Sequence, residues 1–244
     1  MIDQTFKILE HKPLTKDVFL LKLEGNTQLV KHPGQFINIK VDSFYLRRPI
    51  SVADVEGSIL TILYRVIGLG TKALSLKKEG DCLNCLVGLG NGFSVTGHSR
   101  VALVGGGIGI PPLYGLAKQL IKQGKQPVII LGYQKKEDVF GLDLFEELGV
   151  EMMVCTDDGS YGKKGLVTDA LKELDVQYLY ACGPEPMLRA LYRMNLDGQY
   201  SLEARMACGF GACMGCSIET QFGPKRVCKE GPVFQKGELL WPTH

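Results

Sequence analysis

The 244-residue sequence contains no hydrophobic run that approaches the roughly 20 residues of a membrane-spanning helix. Its first residues, MIDQTFKILE, lack the basic and then apolar segments of a secretory signal. Charge is nearly balanced, with a formal net charge of +2 and no basic stripe of the kind that follows a phosphate backbone. We therefore expect a cytoplasmic protein that neither enters a membrane nor binds nucleic acid.

Composition is ordinary for a globular chain, with 45% hydrophobic and 22% charged residues, and does not distinguish one domain from two. Between Phe6 and Val87, short alternating or β-branched runs are separated by turn signals such as His32-Pro33-Gly34. We expect a closed barrel rather than an open sheet, because closure removes exposed strand edges. The predicted antiparallel strands, about six in number, are TFKIL, DVFLLKL, QFINIKV, PISVADV, ILTILYRV and CLNCLV.

The pattern changes near Arg100, where apolar strands begin to alternate with helical segments. Pro111 and Pro112 suit the first turn of one such helix, and Gly124 suits its end. Repeated strand-helix units predict a parallel sheet covered by helices. Beyond Tyr200 the chain is rich in Gly and Cys, which predicts a small module organised by metal. We therefore predict three domains: a barrel at residues 1–98, an α/β domain at 99–200 and a metal-binding module at 201–244.

Four of the eight cysteines lie in the segment ACGFGACMGCSIETQFGPKRVC with the spacing C-x4-C-x2-C-x11-C. In a reducing compartment such a group more often holds metal than forms disulfides. The first three follow the spacing of plant-type [2Fe-2S] proteins, in which the fourth thiolate is distant. The interspersed glycines suit a backbone that wraps round a cluster and directs N–H groups at its sulfurs. The predicted iron ligands are Cys208, Cys213, Cys216 and Cys228.

A structural zinc site is the alternative for this segment. Zinc usually takes two close cysteine pairs, whereas here one pair, Cys213 and Cys216, is extended by a single cysteine on its N-terminal side. Cys82 and Cys85 also form a C-x2-C, but no second pair lies near them in the sequence. We interpret these two as small barrel residues, with zinc left open, and expect Cys155 in the core.

A glycine-rich turn follows the first strand of the α/β part and precedes a helix. In that position backbone N–H groups and a helix dipole can receive a pyrophosphate, although Ile110 replaces the third glycine of G-x-G-x-x-G. A second turn, Cys182-Gly183-Pro184, follows a later strand at the edge where open α/β sheets bind ligands. Together the turns predict a nicotinamide nucleotide pocket that includes Gly105, Gly106, Gly107, Gly109, Cys182 and Gly183. Lys135 and Lys136 leave both NAD and NADP open.

The segment Arg47-Arg48-Pro49-Ile50-Ser51 puts a guanidinium and a hydroxyl at a strand start stiffened by proline. Such a pair suits the pyrophosphate of a cofactor, and a solvated arginine pair is the alternative. The segments Tyr64-Arg65-Val66 and Gly68-Leu69-Gly70-Thr71 add an aromatic ring and further backbone donors.

In this order, the segments RRPIS, YRVIGLGT, GLGNGF, VGGGIGIPP, CGPEPM and EARMACGFGACMGC resemble the ferredoxin-reductase superfamily. Within it they are similar to the electron-transfer subunits of class 1B dihydroorotate dehydrogenases, and Ile50 stands where the wider superfamily commonly has tyrosine. The resemblance implies a FAD-binding barrel, a NAD-binding domain and a [2Fe-2S] domain. It also implies cofactor contacts, beyond those of the nicotinamide pocket, from Arg48, Pro49, Ile50, Ser51, Tyr64, Arg65, Val66, Gly70, Thr71, Asn91 and Glu203.

The resemblance further implies that a partner subunit oxidises dihydroorotate with FMN, in pyrimidine biosynthesis. Single electrons would then cross [2Fe-2S] to FAD and leave as hydride to NAD. The expected assembly is a heterotetramer with two copies of each subunit. No catalytic side chain is expected on this chain, and the four histidines, in turns or at the terminus, are expected to be surface residues: His11, His32, His98 and His244.

Two alternative functions stay open at this point. One is the reductase subunit of a sulfide dehydrogenase or of a ferredoxin:NADP oxidoreductase, which would have the same architecture. The other is a non-enzymatic zinc or iron-sulfur adapter that senses redox state. The flavin segments argue against the adapter, while partner identity and nicotinamide preference would separate the two oxidoreductases.

Overall fold

The structure, a computed structural model, describes residues 1–241, so His244 lies outside the described part of the chain. The first half forms a closed antiparallel barrel with strand order β1-β2-β5-β4-β3-β6, as the sequence predicted. One short helix, α1 (Leu69–Leu74), lies between its last two strands. The strands are β1 (Ile2–Pro13), β2 (Val18–Glu24), β3 (Phe36–Ile39), β4 (Arg48–Glu56), β5 (Ile59–Arg65) and β6 (Cys82–Leu89).

Alternation along the strands explains the barrel interior. In β6, exposed or half-buried residues alternate with buried ones, so that Leu83, Cys85 and Val87 point inward while Cys82 is exposed. The four residues of β3 are all buried, because Ile37 and Ile39 face the barrel core while the other face is covered from outside. One side of the barrel is therefore an interface and not a solvent face.

The second half is built on a sheet with strand order β10-β9-β8-β7-β11-β12-β15, in which every pairing is parallel except that of the last strand. This confirms the predicted parallel sheet. The strands are β7 (Arg100–Gly106), β8 (Gln126–Tyr133), β9 (Met152–Thr156), β10 (Lys163–Lys164), β11 (Tyr178–Cys182), β12 (Gly198–Ser201) and β15 (Val233–Gln235). Its helices are α2 (Pro111–Lys122), α3 (Leu142–Glu146), α4 (Val167–Leu171) and α5 (Glu185–Tyr192). No helix among the described residues is long and apolar enough to cross a membrane.

Helix α2 joins the two halves. It starts at Pro111, as predicted, and its apolar face packs on the sheet through Leu113, Leu116 and Leu120. Its other contact is with the barrel, where a Cβ at Gly115 would lie 2.8 Å from the carbonyl oxygen of Ala53 on β4.

An ion cluster fixes the same contact between α2 and the barrel. The Lys118 ammonium lies 2.5 Å from Asp54 and 2.6 Å from Glu56, both on β4. The ammonium is partly desolvated, yet hydrogen bonds to the two carboxylates raise its pKa above the usual lysine range. Close packing and charge together hold the sheet at a fixed position against the barrel.

The C-terminal segment forms a hairpin, β13 (Ser217–Thr220) with β14 (Gly223–Arg226), and then returns to the sheet as β15. Its interior residues Val227 and Cys228 share a core with Phe36 and Leu89 of the barrel. The segment therefore packs against both halves of the molecule.

Candidate functional site

A cleft of about 870 Å³ lies where the barrel, the carboxyl edge of the sheet and the start of the C-terminal segment meet. This volume is in the range of ligand and cofactor pockets. The cleft brings together predicted site residues from segments that are far apart in sequence, namely Arg48, Pro49, Ile50, Ser51, Tyr64, Arg65, Gly70, Thr71, Gly109, Cys182 and Glu203.

The two arginines of the RRPIS segment have different surroundings. Arg47 donates to Asp3 at 3.0 Å and to the carbonyl oxygens of Asn38 and Asn84 at 3.3 Å, so it ties barrel strands together. Arg48 lines the cleft, lies 4.9 Å from the centre of the Phe44 ring, and is paired with no carboxylate within residues 1–241. Arg48 thus presents to the cleft a guanidinium that has no carboxylate partner in the described chain.

Helix α1 begins beside Arg48. A Cβ at Gly70 would overlap the Arg48 guanidinium, so glycine at this position lets the arginine lie flat on the helix start. The Thr71 hydroxyl accepts the N–H groups of Ile67 and Gly68 at 3.0 and 3.2 Å. These bonds shape the loop that leads into α1, and they leave the side of the loop near Gly70 facing the cleft.

Tyr64 is hydrogen-bonded through its hydroxyl to the side chain of His11. Its ring stacks on Phe19 at 5.8 Å, and burial raises the pKa of its hydroxyl. His11 Nδ1 lies 2.8 Å from the Lys77 carbonyl oxygen and therefore donates to it. In the tautomer that this bond selects for a neutral ring, Nε2 accepts the hydrogen bond from the Tyr64 hydroxyl at 2.9 Å. The expectation that His11 lies in a turn is therefore wrong, because it is part of β1.

The other described histidines are on the surface, as expected. His32 is exposed in a turn, and His98 is exposed and stacks on Tyr178 with ring centres 5.4 Å apart.

The two predicted nicotinamide turns are adjacent at the carboxyl edge of the sheet. Strand β7 ends at Gly106, and residues Gly107–Gly109 form a 3₁₀ turn before α2. A Cβ at Gly109 would lie 2.5 Å from the backbone of Gly183, so the turns after β7 and β11 touch. Gly109 and Cys182 line the cleft, while Gly105 and Gly106 pack behind it.

Cys182 and Glu203 border the cleft on the sheet side. Burial, together with the negative charge of Glu203, raises the pKa of the Cys182 thiol to about 12. Glu203 is accessible to solvent through the cleft, yet the surrounding protein desolvates its carboxyl enough to raise its pKa. Glu203 also borders a smaller cavity of about 360 Å³, together with Gly183 and Trp241.

Some predicted residues lie outside the cleft. Val66 follows β5, and its N–H donates to the Asp17 carbonyl oxygen at 2.7 Å. The Asn91 amide donates to the carbonyl oxygens of Glu230 and Val233 at 3.0 and 2.7 Å, which joins the barrel to the C-terminal segment. The structure thus places Asn91 at a domain contact.

Several cleft residues were not predicted from the sequence. An apolar rim formed by Leu46, Ile67 and Leu69 surrounds the opening, with Ile67 84% and Leu69 78% exposed. These residues lie within or directly beside the RRPIS and YRVIGLGT segments, and that proximity was the available signal. Ala204, Arg205 and Met206 also line the cleft and lead directly to Cys208.

The four predicted iron ligands lie together as two pairs. The Cys213 thiol lies close enough to Cys208 to lower the pKa of the Cys208 thiol, and the backbone nitrogen of Cys228 lies 3.4 Å from the Cys216 sulfur. Each iron of a two-iron cluster takes two protein ligands, so two pairs of thiols suit it. Among the described residues, no three His, Cys, Asp or Glu side chains are grouped as ligands of a single ion would be.

The chemistry of the loop also fits a cluster. Burial raises the pKa of the Cys208 thiol, but N–H groups of Phe210, Cys213 and Ala212 and the Cys213 thiol outweigh it, so that the pKa falls to about 6. Backbone donors directed at sulfur stabilise the thiolate form that binds iron. Arg226 supports the loop by donating to the Gly211 carbonyl oxygen at 2.5 Å and pairing with Glu230.

Two family models match the chain. Residues 103–193 match the oxidoreductase NAD-binding domain, and residues 203–240 match the iron-sulfur cluster binding domain of dihydroorotate dehydrogenase B. The predicted nicotinamide-binding and iron-sulfur domains are thereby confirmed. The first match includes Ile108, Gly109 and Cys182 of the cleft. The second includes cleft residues from Glu203 to Met206 and the whole four-thiol site.

A structure of the NADH-dependent reduced ferredoxin-NADP oxidoreductase, solved in work on flavin-based electron bifurcation, has the same fold as this chain. It shares 31% identity at a TM-score of 0.89, over 97% of this chain and 90% of its own.

Curated relatives are more similar still. An electron transfer subunit of dihydroorotate dehydrogenase B (NAD(+)) from Geobacillus sp. strain WCH70 is 44% identical over 98% of this chain and 99% of its own. The subunit of the same name from Fusobacterium nucleatum is 42% identical over 94% and 95%. At this identity over nearly the whole length, the chain belongs to the family of dihydroorotate dehydrogenase B electron transfer subunits.

Proposed function

We propose that this chain is an oxidoreductase subunit that carries electrons from a dihydroorotate-oxidising partner to NAD+. The observation that carries the proposal is the continuity of two sites. Residues 201–206 line the cleft, and Cys208, the first ligand of the four-thiol site, follows directly after Ala207. This direct link between the cleft and the four-thiol site suits a protein in which electrons pass between the two sites.

The cleft suits FAD, and its residues divide between the charged and apolar parts of that cofactor. Arg48, Ser51, Gly70 and Thr71 would hold the phosphates, because a guanidinium with no carboxylate partner in the described chain lies beside a helix start. Tyr64 and Arg65, with Pro49 and Ile50, would lie along the ring system on the barrel side. Val66 would contribute through its backbone, while Asn91 would act indirectly through the C-terminal segment.

The sheet edge suits NAD. The turn from Gly105 to Gly109 would receive the pyrophosphate, and Cys182, Gly183 and Glu203 would surround the nicotinamide. A bound flavin exchanges single electrons with an iron-sulfur cluster and a hydride with a nicotinamide, which is the conversion that this order of sites requires. The protein itself binds and orients these groups and keeps Glu203 in a desolvated position.

We assign the domains as residues 1–98 for FAD, 99–200 for NAD and 201–244 for the [2Fe-2S] cluster, with Cys208, Cys213, Cys216 and Cys228 as its ligands. The partner would be an FMN-containing catalytic subunit, in a cytoplasmic heterotetramer with two copies of each. In this proposal the partner supplies the catalytic barrel that oxidises dihydroorotate, a fold of about 250 residues.

A second candidate function is that of a reductase subunit in a ferredoxin-NADP oxidoreductase. It is favoured by one observation, the TM-score of 0.89 with the bifurcating enzyme at 31% identity. The higher identity to the dihydroorotate dehydrogenase subunits, 42–44% over nearly full length, makes it the weaker candidate.

The test is an anaerobic visible and EPR spectrum of the purified chain, with iron, sulfide and flavin measured on the same sample. The proposal requires one FAD and one two-iron cluster per chain, both reduced by NADH. With a dihydroorotate dehydrogenase catalytic subunit added, dihydroorotate must reduce NAD+. If the chain transfers electrons from NADH to ferredoxin but never couples to dihydroorotate oxidation, the second candidate is favoured. A purified chain that contains zinc and no flavin would reject both.

A further inference from the structure

Asn38 occupies an unusual position on the outer face of the barrel. It lies on β3, where Ile37 and Ile39 point into the barrel core and its neighbour Phe36 points outward. Phe36 packs in an apolar core with Cys216 and Cys228 of the C-terminal segment. Asn38 is only 1% exposed, so this amide is enclosed between the barrel and the cysteine loop.

The Asn38 side chain contacts the cysteine loop directly. Its Nδ2 donates to the carbonyl oxygen of Cys208 at 3.1 Å. The next residue, Gly209, has φ +75°, and a Cβ there would overlap the Asn38 amide. Glycine at this point therefore allows the loop to lie against the barrel, and Asn38 is the residue that it meets.

The backbone of Asn38 is equally close to the cleft. Across the β3–β4 pairing its partner is Pro49, and two residues earlier on β3 Phe36 is paired with Ser51. Pro49, Ser51 and Phe36 all line the cleft. One residue thus joins the strand that forms the flavin side of the cleft to the first ligand of the four-thiol site.

A polar residue at this position needs an explanation. The Asn38 Oδ1 is buried and has no hydrogen-bond partner among residues 1–241. Such groups are rare, because a buried polar atom loses its hydration without a compensating hydrogen bond. An apolar side chain of similar size would pack beside Phe36 without that penalty, but it could not bind the Cys208 carbonyl. The hydrogen bond from the amide N–H to the Cys208 carbonyl oxygen therefore explains why asparagine occupies this position.

We propose that Asn38 is a positioning residue that fixes the cysteine loop against the flavin side of the barrel, and thereby sets the rate of electron exchange between the two sites. The inference rests on the proposed function for its kinetic consequence. Its structural part, the anchoring of the loop, is independent of which partner the chain serves.

The test compares Asn38→Leu and Asn38→Asp with Asn84→Leu in the full chain. Both Asn38 variants remove the donor, and the aspartate preserves the size of the side chain. Asn84 is a matched control because it lies on the adjacent strand β6 and also has a buried Oδ1 for which the described chain offers no hydrogen-bond partner. Its amide donates to Asp3 and not to the cysteine loop.

Two measurements are made on each protein. Hydrogen-deuterium exchange of the peptide spanning residues 206–213 reports the anchoring of the loop. Stopped-flow mixing with NADH follows bleaching of the flavin and then reduction of the cluster. In both Asn38 variants we expect faster exchange in this peptide, and cluster reduction slowed by about tenfold or more at an unchanged rate of flavin reduction. Asn84→Leu should match the wild type in both.

Wild-type exchange and wild-type cluster reduction in the Asn38 variants would overturn the inference. So would an equal defect in Asn84→Leu, or loss of FAD together with the cluster in both Asn38 variants, since either result would mean a general role in the barrel. If NADH fails to reduce the wild-type cluster, the proposed function fails. The exchange measurement then still decides whether Asn38 anchors the loop.

Discussion

Gly109 and Gly183 touch across the carboxyl edge of the sheet, where a Cβ on Gly109 would lie 2.5 Å from the backbone nitrogen and Cα of Gly183. The strands before these two turns, β7 and β11, are adjacent and parallel, so the turns lie side by side. The contact leaves no room for a side chain. The predicted nicotinamide pocket therefore depends on an exact backbone approach between two turns.

Gly109→Ala should consequently weaken binding of NADH. The added methyl must push the two turns apart, which displaces the backbone N–H groups that would receive the pyrophosphate. We expect the Kd for NADH, measured by titration of the purified chain, to rise about tenfold or more. FAD and iron content should be unchanged. Gly97→Ala is the matched control, because no atom of the described residues lies within 4 Å of the Cβ that it would add. Wild-type affinity in Gly109→Ala would contradict the assignment of this edge.

Cys213→Ser should abolish cluster binding and leave FAD in place. The serine hydroxyl is a poor ligand for iron, and loss of the Cys213 thiol breaks the pair that Cys213 forms with Cys208. The cleft is formed by other residues, so flavin should be retained. Iron, sulfide and FAD analysis of the purified variant measures both outcomes. Cys82→Ser, at an exposed position on β6, should keep its full iron content. A Cys213→Ser protein with full iron would reject the ligand assignment.

Arg48→Ala should weaken FAD retention and spare the cluster. Arg48 lines the cleft and is not paired with a carboxylate in the described chain, whereas Arg47 is bound to Asp3. Charge-assisted bonds from arginine to phosphate are strong, so we expect the Kd for FAD to rise about tenfold or more. Fluorescence titration of the deflavinated chain measures it. Arg100→Ala, which removes a surface ion pair with Glu151, serves as the control. Equal FAD affinity in Arg48→Ala and the wild type would overturn the role.

The sequence predicted those parts of the fold and site that depend on local spacing. Alternation of apolar residues was sufficient for the barrel strands, and the spacing of four cysteines was sufficient to bring their thiols together as two pairs. Asn91 belongs to a predicted cofactor segment, but its amide binds Glu230 and Val233, which are remote in sequence. The three-residue strand β15 and the anchoring contact of Asn38 likewise depend on pairings between distant segments. The pattern of apolar and polar residues within one segment carries no information about such pairings.

The partly desolvated carboxyl of Glu203, at the wall of the cleft, leads to a prediction about pH. Desolvation raises the pKa of its carboxyl above the ordinary value of 4.5, so ionisation is harder in the folded chain than in the unfolded one. Its contribution to stability is therefore complete below the ordinary pKa and is lost as pH rises through the raised value. Glu203→Gln removes this loss, because the amide does not ionise. We expect the wild type to lose stability relative to Glu203→Gln as pH rises through that interval.

Urea midpoints of the FAD-loaded proteins, measured from acid to neutral pH, test this expectation. Glu10 provides a control, because its contribution to stability changes with pH in the opposite direction. Hydrogen bonds from Lys12 and Lys22 lower the pKa of its carboxyl, so its contribution is present at neutral pH and is lost as pH falls. Glu10→Gln should therefore be less stable than the wild type at neutral pH, with the gap closing in acid. If the urea midpoints of the wild type and Glu203→Gln change in parallel with pH, the Glu203 carboxyl is hydrated in the cleft. It then cannot be the desolvated group that borders both cavities.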